Sequence, residues 1–285
     1  MPKIALVTYS QYQKLTTSDN FLIKPLKEAG FDPTAVAWDD DKVNWQQFDL
    51  IILRSCWNYH LKVNEFTGWL DYLEKNKLRV FNPVSLLKWN LDKKYLLDLE
   101  KKGIPIIPTV FIKKGSTIDL IKIIEENNWP EIVIKPTIGA SAYEVHKVTT
   151  ETVKPIQSKY DQLVNRGDVM IQPLMKEVVT EGEYSFVFLG GRFSHAILKK
   201  PKSNEFRTNY RFGGTCQRVE PAEKLLLQAT TIMKAIPSPA LYARVDGLNI
   251  NGKLTLMELE LIDPHLFFDL YPPAADKLVK AITKV

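Results

Sequence analysis

Near its C-terminal end the chain carries the dipeptide Asn251-Gly252 between two β-rich apolar runs, LYARVDGLNI and KLTLMELELIDP. In that setting Asn-Gly specifies a tight hairpin turn, because both central residues must take positive φ. Period-two alternation in the second run puts Leu254, Leu256, Glu258, Glu260 and Ile262 on one face and Met257, Leu259 and Leu261 on the other. Both faces are largely apolar, so an interior strand is expected. A carboxylate there loses several kcal/mol of hydration unless a cation compensates, and a like-charged neighbour adds to the cost. A divalent ion is one compensation. Pairing with Arg244 and nearby lysines, or exposure on an edge strand, is the other.

Asp246, on the first run, supplies a third oxygen ligand only in the right register. A plain two-residue turn pairs it with Met257, which faces away from Glu258. One extra residue restores the match, either in a three-residue loop that includes Lys253 or in a bulge at Gly247. Such an irregularity is expected. Among divalent ions, Mg²⁺ suits hard oxygen ligands that must also hold phosphate.

The 285 residues suffice for two or three lobes, and 45% apolar with 25% charged residues is ordinary for a globular protein. The net charge of +5 is spread along the chain, which suits a small anionic ligand and gives no basic stripe for nucleic acid. Cys56 and Cys216 are too few for a disulfide framework or a zinc site. The N-terminal MPKIALVTY runs straight into a strand pattern without the features of a signal peptide, and no apolar run is long enough to span a membrane. A cytoplasmic protein is expected. The oligomeric state stays open, a homodimer included.

In chain order, strands at Lys3–Tyr9, Thr34–Ala37, Leu50–Leu53 and Arg79–Phe81 alternate with helical patterns at Asn20–Gly30 and Val63–Lys75. This tempo predicts a doubly wound α/β lobe. Ligands of such sheets sit beyond the carboxyl ends of the strands. Arg54, Ser55, Trp57 and Tyr59 follow the Leu50–Leu53 strand directly, so they are candidates to grip a carboxylate or phosphate; Trp57 and Tyr59 alternatively seal an interface between lobes. No GxGxxG follows any strand, which argues against a dinucleotide site. A charged helix is expected over Asn90–Gly103, another over Ser116–Asn127, and an apolar strand at Ile132–Lys135. Lys135 stands before the small-residue loop 137–142, where backbone amides can approach an anion. The strands Val169–Leu174 and Tyr184–Leu189, a turn at Gly190-Gly191, and the polar stretch KKPKSNEFRTNYRFGG (199–214) follow. That stretch reads as plain flexible chain or as a cationic lid over polyphosphate.

Taken together, these residues resemble the ATP-grasp superfamily of carboxylate–amine ligases. The stretch Glu205-Phe206-Arg207-Thr208-Asn209 with Gly213-Gly214 is similar to the EFRxN…GG loop of glutamate ligases that modify a ribosomal protein and to that of bacterial glutathione synthetase. RSCWNYH, EGEYSFVFLGGRFSHAILKKP and LMELELIDP look like the O-ureidoserine cyclo-ligase group of D-cycloserine biosynthesis. The resemblance implies an α/β chain, α+β in its nucleotide-binding part, with an ATP-grasp fold behind the doubly wound N-terminal lobe. The implied domains are residues 1–88, 89–175 with Lys93 and Lys135, and 176–285 with the metal-binding hairpin.

The resemblance also implies roles. Lys93, ahead of Lys94, and Lys135 contact the α- and β-phosphates of ATP. Gln172, Pro173, Leu174 and Met175 line the adenine pocket, their backbone reading the base edge, and Glu177 or Glu183 meets the ribose. Lys199, Arg207 and Asn209 serve the transferring phosphoryl group, and Asp246, Glu258 and Glu260 hold two Mg²⁺ ions. Glu260 stands where the family often has Asn, and the loop after Lys135 lacks the family's run of glycines.

The implied activity is an ADP-forming ligase. A substrate carboxylate takes the γ-phosphoryl of ATP and a nitrogen nucleophile captures the acylphosphate, between two molecules or by ring closure within one. Lysines, arginines and carboxylates without a Ser-His or Cys-His pair match chemistry that needs positioning and charge neutralisation. Small carboxylate and amine substrates are the expected partners, with neither nucleic acid nor membrane. The alternative is a silent ATP-binding module, which would have no reason to retain Arg207, Asn209, Glu258 and Glu260.

Overall fold

The computed structural model describes residues 1–284. The first sheet is parallel and consists of β1 (Lys3–Thr8), β2 (Asp32–Ala37), β3 (Leu50–Leu53) and β4 (Val80–Phe81), in the order β2-β1-β3-β4. All four residues of β3 are buried, as a parallel strand covered on both faces requires. Helices α1 (Ile23–Glu28) and α2 (Val63–Lys75) lie between its strands. The latter buries Phe66, Trp69, Leu70 and Leu73, the i, i+3, i+4, i+7 stripe of an amphipathic helix.

The next segment departs from expectation. In place of one helix over Asn90–Gly103 there are two, α3 (Val84–Leu91) and α4 (Tyr95–Lys101). Asp92 takes an extended conformation between them, and its Oδ1 accepts the Lys94 N–H at 3.0 Å, as a capping aspartate does. The break leaves the Lys93 N–H to donate to the Thr137 carbonyl at 2.9 Å. It also turns the Lys93 side chain out of a helical face and into the cavity described below.

A second, antiparallel sheet follows, of β5 (Val110–Ile112), β6 (Glu131–Pro136), β7 (His146–Thr149) and β8 (Val169–Pro173), ordered β5-β8-β6-β7 and backed by α5 (Leu120–Asn127) and α6 (Val153–Arg166). The short helix α7 (Glu177–Thr180) leads to the third sheet. Its strands β9 (Glu183–Leu189), β10 (Arg192–Lys200), β11 (Thr215–Val219), β12 (Tyr242–Ile250) and β13 (Lys253–Glu260) are ordered β11-β10-β9-β12-β13. Helices α8 (Glu223–Ala235) and α9 (Pro273–Ile282) complete the chain, and α9 packs in one core with Ile4, Leu6 and Ile52 of the first sheet and Val187 and Ile197 of the third. No described helix is long and apolar enough to cross a membrane.

By ladder position β13 is an edge strand, where its two apolar faces suggest an interior one. The outer edge is nevertheless satisfied. Leu256 exchanges backbone hydrogen bonds with the connector (Ile107 N–H to its carbonyl, its own N–H to the Pro105 carbonyl). Tyr95 Oη serves both backbone groups of Leu259, and Asn90 spans the Leu259 carbonyl and the Leu261 N–H. Asn82 does the same for Leu241, Tyr242 and Leu261. Side chains and the backbone of the connector thus supply the pairing that a further strand would, and the outer edge of β13 is satisfied without one.

Candidate active site

The turn at Asn251-Gly252 has φ of 52° and 74°, and the ladder starts with Ile250 opposite Lys253. The expected irregularity is a bulge between Asp246 and Gly247, which sets Asp246 directly opposite Glu258 and Arg244 opposite Glu260. Glycine is required at the bulge, since a Cβ on Gly247 would sit 2.8 Å from the Thr255 carbonyl oxygen.

These residues form one wall of a cavity of about 480 Å³. Lys93, Lys135, Gln172, Pro173, Leu174, Met175, Glu183, Lys199, Arg207, Asn209, Asp246, Glu258 and Glu260 all line it, as do Trp57 and Tyr59. Three expected residues do not. The side chain of Arg54 is wholly buried, donating from Nε and Nη2 to Asp19 and from Nη2 to the Pro264 carbonyl, so it braces the lobe instead of gripping substrate. Ser55 is fully buried beside it. Glu177 lies on α7 outside the cavity, which leaves Glu183 as the one of the two acids that reaches it. Lys94 also turns away, to Asp168 and Asp92. Within the adenine wall, the Leu174 N–H is already used by the Glu131 carbonyl, at 2.9 Å, and is not free to read a base.

The charges are tightly matched. Lys199 Nζ donates to Glu183 at 2.7 Å and to Asp246 at 3.3 Å, and Thr208 Oγ1 donates to the other Glu183 oxygen at 2.7 Å. Arg244 bridges Asp246 and Glu260, while Lys93 reaches Glu258 at 3.2 Å and the Gly139 carbonyl at 2.6 Å. Burial would raise Asp246, but Arg244 and Lys199 hold it down at about 2. Burial likewise opposes ionisation of Glu258, and Lys93 and Lys135 bring it below its usual value. Glu260 goes the other way: burial, with like charge on Glu258 and Asp246, outweighs Arg244 and lifts it to about 8. Lys135 is lowered, by burial first. It has no ion pair or hydrogen-bonded side-chain partner among the described residues, so it stands as an uncommitted cation in the cavity.

Two loops roof the site. The 137–145 loop reaches its close turn with Ser141 and Ala142 at φ of 53° and 55°, doing without glycine what glycine does at lower cost. In the 201–214 loop, Arg207 is held by both oxygens of Glu205, at 3.0 and 2.7 Å, and lies 3.5 Å from the centre of the Phe212 ring. Gly214 allows the close return of that loop, because a Cβ there would collide with the Thr208 carbonyl oxygen.

Among the described residues, no three Asp, Glu, His or Cys side chains converge closely enough to enclose a metal ion as they stand. The donor set nonetheless fits Mg²⁺: three hard carboxylates from adjoining strands, two of them register partners, of which Glu260, lifted to about 8 by burial and its acidic neighbours, would regain its charge beside a divalent ion. Residues that sequence reasoning missed also line the cavity, notably Tyr143, Asp263 and His265. Arg244 was legible as a counter-charge but not as a site residue, although two positions before Asp246 places it on the same face.

A family model described as the prokaryotic glutathione synthetase ATP-grasp domain matches residues 104–266, more than half the chain, so the chain belongs to that family. Residues 4–82 match the N-terminal domain of D-cycloserine synthetase DcsG. The protein is thus an ATP-dependent ligase that forms a carbon–nitrogen bond. It is 27% identical to the cycloserine biosynthesis protein DcsG of Streptomyces lavendulae over 280 residues, 92% of each chain. The fold matches the crystal structure of D-cycloserine synthetase DcsG with a TM-score of 0.89 at 25% identity, covering 99% of both chains. It also matches D-alanine–D-alanine ligase from Bacillus anthracis complexed with ATP, with a TM-score of 0.71 at 16% identity over 100% of this chain and 97% of the other, a likeness of fold.

Proposed function

We propose that the enzyme is an ADP-forming carboxylate–amine ligase that activates a small amino-acid-like or peptide-like acid as its acylphosphate. The observation that carries this reading is the uncommitted Lys135 cation in one cavity with the acidic pair Asp246 and Glu258. A half-buried lysine without a partner is costly, and a triphosphate tail supplies the missing anion.

Lys93 and Lys135 grip the phosphates, Gln172 to Met175 face the adenine, and Glu183 meets the ribose. Asp246, Glu258 and Glu260 hold two Mg²⁺ ions, which when bound neutralise the charge of the triphosphate. A carboxylate oxygen of the substrate attacks the γ-phosphorus, the bond to the β,γ-bridging oxygen breaks, and ADP leaves. Lys199 and Arg207, with Asn209 beside them, stabilise the charge spread over the transferring group. An amine nitrogen then attacks the acyl carbon, losing a proton as inorganic phosphate departs. The two roof loops exclude water, which would otherwise hydrolyse the acylphosphate. Trp57 and Tyr59 wall the substrate end.

Similarity along nearly the whole chain to a D-cycloserine synthetase supports ring closure within one substrate as a form of this reaction. The test is a screen of amino acids, dipeptides and small acids for nucleotide products. ADP and phosphate released only with a carboxylate present are expected; AMP and pyrophosphate would contradict the reading.

A further inference from the structure

Five carboxylates line the cavity: Glu183, Asp246, Glu258, Glu260 and Asp263. Each of the first four meets a lysine or arginine. Asp263 does not, among the described residues, although it is only 8% exposed and its Oδ2 has no hydrogen-bond partner. The guanidinium that most favours its ionised form, Arg54, is committed to Asp19 and to the Pro264 carbonyl. A buried carboxylate left in this state is destabilising unless it stays protonated or something else provides the cation. Burial accordingly lifts Asp263 to about 7.

Beyond Arg54, only the Cys56 N–H and the charge of Arg244, itself committed to Asp246 and Glu260, favour the ionised form. His265 Nδ1 also lacks a partner, and burial depresses the imidazole to about 4, so the ring is neutral and keeps one acceptor nitrogen. Tyr59 belongs to the same corner: beyond burial, the charges that raise its hydroxyl are Asp263, then Glu258 and Glu260. Trp57 adds an aromatic face, and such faces attract cations.

Building on the ligase reading, we propose that Asp263 receives the ammonium group of an amino-acid or peptide substrate, so that the enzyme selects carboxylates bearing a free amino group. The substrate's ammonium supplies the counter-charge that Asp263 lacks. An acid without the amine leaves Asp263 buried and unpaired, and sites built around a polar partner reject analogues that lack it far more strongly than apolar pockets reject a missing methylene.

The test uses the full-length enzyme with ATP and Mg²⁺, and hydroxylamine as a common nucleophile to trap any acylphosphate. Amino acids of both hands are compared with their des-amino counterparts, such as alanine with propionate, and dipeptides with N-acetyl dipeptides. We expect amine-bearing acids to give a kcat/KM at least about 100-fold above that of their blocked partners. Asp263→Asn should remove most of that gap while leaving the KM for ATP unchanged. Blocked acids reacting as well as free ones in the wild type would overturn the assignment and leave the ligase reading intact. So would an Asp263→Asn enzyme with undiminished selectivity. ADP release with no carboxylate of either kind would refute the ligase reading itself, and this inference with it.

Discussion

Asp246 and Glu258 oppose each other across β12 and β13 because β13 carries one extra residue, Met257, opposite the step from Asp246 to Gly247. Without it Asp246 would face Met257, and the two carboxylates would point to opposite sides of the sheet. A one-residue adjustment, tolerated because position 247 has no Cβ, therefore decides whether these strands present a ligand pair.

Glu258 feels the charge of both Lys93 and Lys135, the two lysines proposed to grip the phosphates. Glu258→Gln should lower ADP production by at least about 100-fold, the scale of removing an electrostatic stabiliser, with an unchanged far-UV circular dichroism spectrum. Undiminished turnover would refute its role in holding metal.

Lys135 gives a prediction of opposite sign for stability and binding. Since its charge is half-buried and unpaired among the described residues, Lys135→Met should leave the melting temperature of the free protein unchanged or raise it. The rise in melting temperature caused by Mg·ATP should shrink or vanish. Thermal unfolding with and without nucleotide measures both.

Arg207 is held by Glu205 over Phe212 on the roof loop. For Arg207→Ala we expect turnover to fall by about two orders of magnitude or more, with a smaller change in the KM for ATP. A near-normal kcat in steady-state assays would contradict its placement at the transferring phosphoryl group.

His195 lies outside the site, bonded to the Leu266 carbonyl at 3.1 Å, and burial depresses it to about 4. Because the folded chain refuses a proton that the unfolded chain takes up near pH 6.5, the stability present above that pH is lost as pH falls toward 4. The loss is on the order of 3 kcal/mol. Urea unfolding of the wild type and of His195→Gln at pH 7 and pH 5 should show the variant losing about 2 kcal/mol less between the two, since the other shifted groups, His265 among them, act alike in both.

Features that depend on neighbours in sequence were legible beforehand. Asn251-Gly252 marked the hairpin, the mismatch of Asp246 with Glu258 demanded an irregularity, and Gly247 was one of the two places where it could fall. Features that depend on distant partners were not. Arg54 follows a strand end, as a ligand-gripping residue should, but Asp19 waits 35 positions away to take it inward. The break at Asp92 was hidden by a continuous helical pattern, since the competing interaction is the Thr137 carbonyl on another element. Strand β13 read as interior because Asn82, Asn90 and Tyr95 cover its edge from remote parts of the chain.

The most direct measurement follows the oxygen of the activated acid. With a substrate found in the screen and labelled with ¹⁸O in its carboxylate, each turnover should pass one labelled oxygen to inorganic phosphate, because that oxygen bonds to the γ-phosphorus before the amine displaces it. Phosphate free of label, with product formed, would contradict the acylphosphate and the assignment of these charged residues to its formation.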